Sequence, residues 1–265
     1  MKKITLALIF ILSLAFTFLG IGLVQAEDIR YQQENSAINN YKKESGLTGN
    51  LRVDQFSGAA SYVLNLDIPK GRNGFQPSLN LFYNSHDRSF DSWVGQGWSM
   101  DLGYVARSTR KGVNNLYTGD EFTLFLNGKS YDLVLIDANE NLYGAKMEGD
   151  YLHIQFDEVN NKWLVIDTLG AKYYFGQTVN TRQDSGELVY KWMLDQVIDT
   201  NDNYYRLSYF KRLGQIYPQN IYYTGHDEDD GPMEIIFNLE ARADSVTSYQ
   251  SQYNRYSGGK SAQAF

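Results

Sequence analysis

The sequence predicts an all-β protein, built of antiparallel hairpins in one curved, shell-like or sandwiched sheet. Three observations carry this. Short segments alternate apolar and polar residues with a period of two, turn residues stand between them, and 21 Tyr with 14 Phe supply side chains suited to half-buried pleated surfaces. No stretch of about 12 residues shows an apolar stripe at helical spacing, so a βαβ enzyme scaffold is excluded.

The elements follow in order. A β pattern begins at Leu51. From Ser61 to Ile68 one face carries Tyr62, Leu64, Leu66 and Ile68 and the other Ser61, Asn65 and Asp67, until Pro69 ends the run. Lys70-Gly71-Arg72-Asn73-Gly74 forms a corner able to hold positive φ, after which Leu79, Leu81 and Tyr83 resume the alternation beyond Pro77. Further strands are predicted at 122–126, 131–135, 151–156, 163–166, 172–175, 190–197, 205–209, 221–223 and 233–239. Asn127-Gly128, Asn160-Asn161, Gly170, Ser185-Gly186 and Gly231-Pro232 separate most of them.

Within this series the sequence repeats itself. An aliphatic pair, an Asp, five residues and a Tyr recur as Leu135-Ile136-Asp137 to Tyr143, Val165-Ile166-Asp167 to Tyr173, and Val197-Ile198-Asp199 to Tyr205, with Phe156-Asp157 to Trp163 as a weaker fourth. Each unit reads as a hairpin. The Asp carboxylate accepts from backbone N–H groups two residues on, and the chain returns to an aromatic ring beside the aliphatic pair. A spacing of about 30 residues suggests hairpins added serially to one growing sheet.

The two ends differ from this core. Lys2 and Lys3, the apolar run Ile4 to Leu23 and the small-residue site Val24-Gln25-Ala26 predict a signal peptide over 1–26, an uncleaved anchor being the competing reading. Residues 27–48 form a polar lead-in, 49–249 the β domain, and 250–265 a small-residue tail that reads as truncated or disordered. The product is expected to be secreted, with no stable membrane insertion after the leader is removed.

Composition excludes several kinds of chemistry. With 24 Lys+Arg against 31 Asp+Glu the net charge is −7, and −9 once the two leader lysines are gone, so nucleic-acid binding is not expected. The absence of Cys removes disulfides, thiolate metal sites and thiol nucleophiles. The three histidines, His86, His153 and His226, are far apart in sequence, and His153 falls on the outward face of its strand.

Two acidic turns deserve mention as hard-cation candidates, Thr224 to Gly231 with Asp227, Glu228, Asp229 and Asp230 beside His226, and Asp199 to Asn203. Neither has EF-hand spacing, and both read first as solvated turns. Trp93, Trp98, Trp163 and Trp192 would line a sugar groove if exposed, but read first as sheet anchors. No serine-hydrolase elbow, zincin helix or phosphate loop occurs. The sequence therefore assigns no catalytic, cofactor-binding or metal-ligating residue and predicts a chain that is not an enzyme.

One set of motifs is more specific. Ser57 to Tyr62, Ile68 to Leu79 and Tyr83 to Ser85 are followed by Val94-Gly95-Gln96-Gly97-Trp98-Ser99 and Ala106-Arg107. Later come Lys172 to Gly176, Tyr190-Lys191-Trp192, Asp199 to Asn203, Tyr217-Pro218, Tyr222 to His226, Arg242-Ala243-Asp244 and Ser248-Tyr249. In this order they resemble the Salmonella virulence plasmid B protein family, which includes the B components of insecticidal toxin complexes. Gly95 and Gly97 are expected to let the backbone pass close to the Trp98 ring.

The resemblance covers about Gly49 to Tyr249 and implies a β-scaffold similar to the region that, with tyrosine-aspartate repeats, builds a hollow shell around a toxic cargo. The partners it implies are downstream shell sequence or other toxin-complex subunits, and relatives without a signal peptide are cytoplasmic. The Salmonella member's distal ADP-ribosyltransferase domain has no counterpart here. The function expected is that of a non-catalytic structural part of a secreted, virulence-associated toxin-complex-like protein. A glycan-binding module or glycoside hydrolase using the Trp residues and a carboxylate pair is the alternative. The strand at 233–239 is expected to present an open edge.

Overall fold

The computed structural model describes residues 2–6, 48–87, 92–112, 115–185, 188–212, 215–227 and 229–240. The strands are β1 (Lys2–Leu6), β2 (Thr48–Val53), β3 (Ala60–Leu66), β4 (Leu79–Asn84), β5 (Trp98–Ser99), β6 (Tyr104–Arg107), β7 (Phe122–Leu126), β8 (Lys129–Asp137) and β9 (Leu142–Ala145). They continue with β10 (His153–Asp157), β11 (Lys162–Ile166), β12 (Lys172–Phe175), β13 (Arg182–Ser185), β14 (Leu188–Ile198), β15 (Asn203–Arg212), β16 (Gln215–His226) and β17 (Met233–Phe237). The protein is all-β and its long sheet is antiparallel except where β1 joins β17 in parallel. Apart from β1, the predicted leader, the lead-in before Thr48 and the tail lie outside the described residues.

Two sheets form. Strands β2-β3-β4-β5 make a four-stranded antiparallel sheet. All the others belong to a 13-stranded sheet in which β6 through β12 meander and β14 pairs back to β6, so that eight strands close a ring. The closing strand serves two structures. Leu194 N–H donates to Gly103 O at 3.0 Å while its neighbour Met193 accepts from Gly176 N–H at 3.0 Å, so β6 and β12 lie on opposite edges of β14. On the β6 edge, Lys191–Met193 pairs with Tyr104–Ala106 and closes the barrel, and farther along Gln196–Ile198 pairs with Tyr204–Arg206 of β15. From there β15, β16 and β17 continue outward as an open sheet.

The repeat is a structural unit. Leu135, Val165 and Val197 stand directly across from Tyr143, Tyr173 and Tyr205, whereas the weaker fourth copy pairs Phe156 with Trp163, one residue tighter. The Asp carboxylates close the corners. Asp167 Oδ1 accepts from the N–H groups of Leu169 at 2.9 Å and Ala171 at 3.0 Å, and Oδ2 accepts from Tyr173 Oη at 3.1 Å. Asp199 Oδ1 likewise accepts from Asn201 at 2.8 Å and Asn203 at 2.9 Å. At the Asn127-Gly128 corner both residues have positive φ, 53° and 76°, the conformation of a tight hairpin turn.

Closure also locates the core. An eight-stranded barrel is just wide enough for side chains to fill, and here Phe122, Tyr143, Phe156, Trp163 and Trp192 fill it in edge-to-face and tilted contacts, with Phe122–Trp163 centroids 4.8 Å apart and Trp163–Trp192 6.0 Å apart. Trp163, Trp192, Val105, Leu124, Ile154 and Phe175 are fully buried. The four-stranded sheet packs on this body through Leu66, Leu79 and the corner after β3. That corner is pinned by Phe75 against Tyr205 at 5.4 Å and by Tyr223 Oη donating to Pro69 O at 3.2 Å. Asn73 (φ 52°) and Gly74 (φ 79°) hold the predicted positive-φ turn.

Candidate functional site

Two of the four tryptophans are core residues. Trp163 and Trp192 lie inside the barrel, where Trp192 Nε1 donates to Asn161 O at 3.0 Å and Oδ1 at 2.9 Å. Half-buried Trp98 packs on Tyr83 at 5.2 Å, and Trp93 meets Phe237 edge-on at 5.8 Å. Gly97 (φ +75°) lies against Tyr83, whose ring carbon would be 2.9 Å from an added Cβ, so it accommodates the cross-strand Tyr.

The acidic turns are used by the fold. Asp199 closes its own hairpin, as above. In the 224–231 loop, Tyr204 Oη donates to Asp230 Oδ1 at 2.9 Å, Arg206 pairs with the same carboxylate, and His226 Nε2 lies 3.3 Å from Asp227 Oδ2. Among the described residues no group of three His, Asp or Glu side chains is placed to hold a metal ion. His86 and His153 are exposed and lie on different elements.

Two polar groups to which the sequence reading gave no role stand at the barrel's seam and on its shared strand. Arg107, the last residue of β6, is half-buried among three rings, its Cζ 5.4, 5.1 and 5.7 Å from the centroids of Tyr117, Phe122 and Trp192. Its Nε donates to Val189 O at 2.9 Å and thereby links β6 to β14 across the closing seam. Burial pushes the guanidinium pKa down, opposed by Tyr117, Tyr143 and Asp120.

Asp195 lies in the middle of β14 and is only 6% exposed. Burial raises its carboxyl to about 6, against hydrogen bonds from Gln177 and Thr181 and the charge of Arg182. The sequence held a signal for it. Trp192 and Leu194 are buried on one phase of the alternation and Val197 on the other, and Asp195 falls where the phase changes.

The outer edges are the remaining surfaces with interaction chemistry. On β2, Leu51 and Val53 are each 60% exposed, Phe56 in the next turn is fully exposed, and among the described residues no strand pairs with the outer edge. At the outer end of the 13-stranded sheet, β17 carries β1 on its outer edge, with Ile4 opposite Ile235. No helix among the described residues is long and apolar enough to cross a membrane.

Comparison with known proteins bears on these surfaces. The family model for the Salmonella virulence plasmid 65kDa B protein matches residues 54–229, from the turn after β2 to the acidic loop. The chain belongs to this family. Curated proteins include no match to the chain.

Among solved structures, TcdB2-TccC3 shares the family member's fold with a TM-score of 0.58 and 18% identity, over 76% of this chain and 12% of that one. A Photorhabdus luminescens Tc holotoxin pore structure with a TccC3 mutation aligns with a TM-score of 0.53 and 18% identity, over 67% of this chain and 10% of that one. The family member thus spans about an eighth of the length of the TcdB2-TccC3 chain it matches.

Proposed function

We propose that this protein is a non-catalytic structural part of a toxin-complex-like, virulence-associated protein, contributing β-sheet to a shell that encloses or presents a cargo. The observation that carries this reading is the shared edge of β14, from which one sheet both closes a barrel and continues outward through β15–β17 as an open surface. The end of that continuing sheet is where N–H and C=O groups would meet further sheet. The fold likeness to TcdB2-TccC3 supports the same reading. In this proposal residues 1–26 are a leader removed on secretion, and removal takes β1 from β17 and opens the edge at Met233–Phe237. Downstream shell sequence or another toxin-complex subunit is the partner that fills it.

The test is made on secreted material. N-terminal sequencing is expected to read Glu27, and light scattering to show association that weakens when a charge is placed on the edge by Ile236→Lys. A glycan array and hydrolysis assays run in parallel. An intact Met1 chain that stays monomeric, or sugar binding lost on Trp98→Ala without unfolding, would overturn the reading.

A further inference from the structure

Between β12 and β13 residues 176–181 form a strap at the end of the barrel, which leaves the ladder of β14 after Gly176 and whose short turn, Val179–Thr181, lies against β14 and β15. Gly176 (φ +72°) lies so close to Trp192 that an added Cβ would sit 2.2 Å from its Cδ1. Arg182 holds the strap's two flanks, Nε donating to Gly176 O at 2.6 Å and Nη2 to Asn160 O at 2.7 Å. The strap's own turn is closed by Thr181 Oγ1, which donates to Thr178 O at 2.8 Å and accepts from Thr178 N–H at 3.2 Å.

Beyond the last backbone bond, Gly176 N–H to Met193 O at 3.0 Å, the strap's link to β14 is a carboxylate. Where backbone pairing fails, Asp195 Oδ2 accepts the Gln177 N–H at 2.6 Å. Besides the Thr181 hydroxyl of the strap itself, two titratable groups face this carboxylate from neighbouring elements. One is the Arg182 guanidinium of β13, and the other is the buried Tyr209 phenol of β15, whose hydroxyl donates to Leu194 O at 2.9 Å and whose pKa burial pushes well up.

We propose that Asp195 is a proton-operated clamp on the 176–181 strap, holding it to the barrel end as a carboxylate and loosening its first turn when protonated. This goes beyond the shell reading and does not depend on it. A carboxylate accepts an N–H more strongly than a neutral carboxyl does, by roughly a factor of two. The carboxyl's value of about 6, raised by burial, places the change in mildly acidic solution.

The device has a signature of two opposite signs. Because the folded pKa of about 6 lies above the ordinary value of 3.8, protonation favours the folded chain, a contribution complete below the ordinary value and lost as pH rises through about 6. Acidification therefore stabilises the fold while it loosens the strap.

Hydrogen exchange on the full chain, corrected for intrinsic exchange, tests this at about pH 7.5 and about pH 5. We expect protection of the Gln177 and Thr178 amides to fall about tenfold at the lower pH while barrel amides of β10 and β11 hold. Asp195→Asn is expected to show the low protection at both pH values. Equal wild-type protection at both pH values, or an Asp195→Asn protein that keeps the wild-type response, overturns the proposal. Should that variant fail to fold, a carboxyl-carbon NMR titration of the wild-type protein serves, and a strap amide transition that does not track the Asp195 titration is equally fatal.

Discussion

The barrel and the four-stranded sheet are made of similar residues and solve the same problem differently. In the barrel every strand has two partners and the interior is filled by rings, so Trp163 and Trp192 are completely buried. The β2–β5 sheet has a comparable apolar face, with Leu51, Tyr62, Tyr83 and Trp98 standing in one cross-strand row, yet it has no closing strand. Its burial is borrowed from the corner at 68–75 and fades towards β2, where Leu51 and Val53 remain largely exposed. Closure, more than composition, decides how much an aromatic residue stabilises this fold.

Substitution of one ring on each side should show the largest contrast. Trp192→Ala removes a fully buried side chain that packs on three others and caps Asn161, and is expected to destabilise by about 3–5 kcal/mol in denaturant unfolding. Leu51→Ser in the open sheet should stay within about 0.5 kcal/mol. Equal costs would mean that the sheet is as well packed as the barrel.

Glycines sharpen the comparison at a smaller scale. Gly176→Ala and Gly97→Ala both place a side chain at positive φ, but the first meets the immobile Trp192 at 2.2 Å and the second the half-exposed edge of Tyr83 at 2.9 Å. We expect about 2–3 kcal/mol for Gly176→Ala and about 1 kcal/mol for Gly97→Ala, measured as shifts in unfolding midpoint.

The hairpin corners come next. Asp167→Ala leaves two backbone N–H groups and the Tyr173 hydroxyl without their acceptor and should cost about 1–2 kcal/mol. Asp199 makes the matching prediction in pH. Burial alone would raise its carboxyl, but hydrogen bonds from Asn203 and Asn201 outweigh it and hold the pKa below the ordinary value. Its contribution is present above pH 3.8 and lost as pH falls through the lower folded value, opposite in sign to Asp195. A stability profile of wild-type and Asp199→Asn protein below about pH 4 should separate the two.

The most localised effect concerns Arg107 and the seam. Arg107→Lys keeps the charge but loses the planar donor to Val189 O and the stacking on Phe122 and Trp192. About 1–2 kcal/mol of destabilisation is expected, with faster exchange at 104–106 and 191–193 rather than across the sheet. Uniform loss of protection would show that the seam is no weaker than its surroundings.

Most of this architecture is local and therefore legible in the sequence. A strand's alternation, the Asn-Gly corner at 127–128 and the Asp that closes each hairpin act over a few residues, and the strands at 122–126 and 172–175 stand where the alternation puts them. Short strands with weak patterns, such as β6, β9 and β13, were not legible, because their pairing is set by neighbours rather than by their own residues. The family motifs likewise marked the corner at 71–77 and the Trp98 segment as special before their packing was known.

Ring closure and the two polar groups that attend it belong to tertiary structure alone. Whether a meander stays open or pairs its first strand with its last depends on accumulated twist over eight strands, a sum that no single segment carries. Arg107 and Asp195 acquire their settings only when β6 meets β14 and when β14 changes the face it buries. Closure brings Val189 to Arg107 across a separation of 82 residues, and the pairing of β12 with β14 brings the strap's Gln177 to Asp195, because burial of a charge is a property of the whole fold and not of the sequence around it.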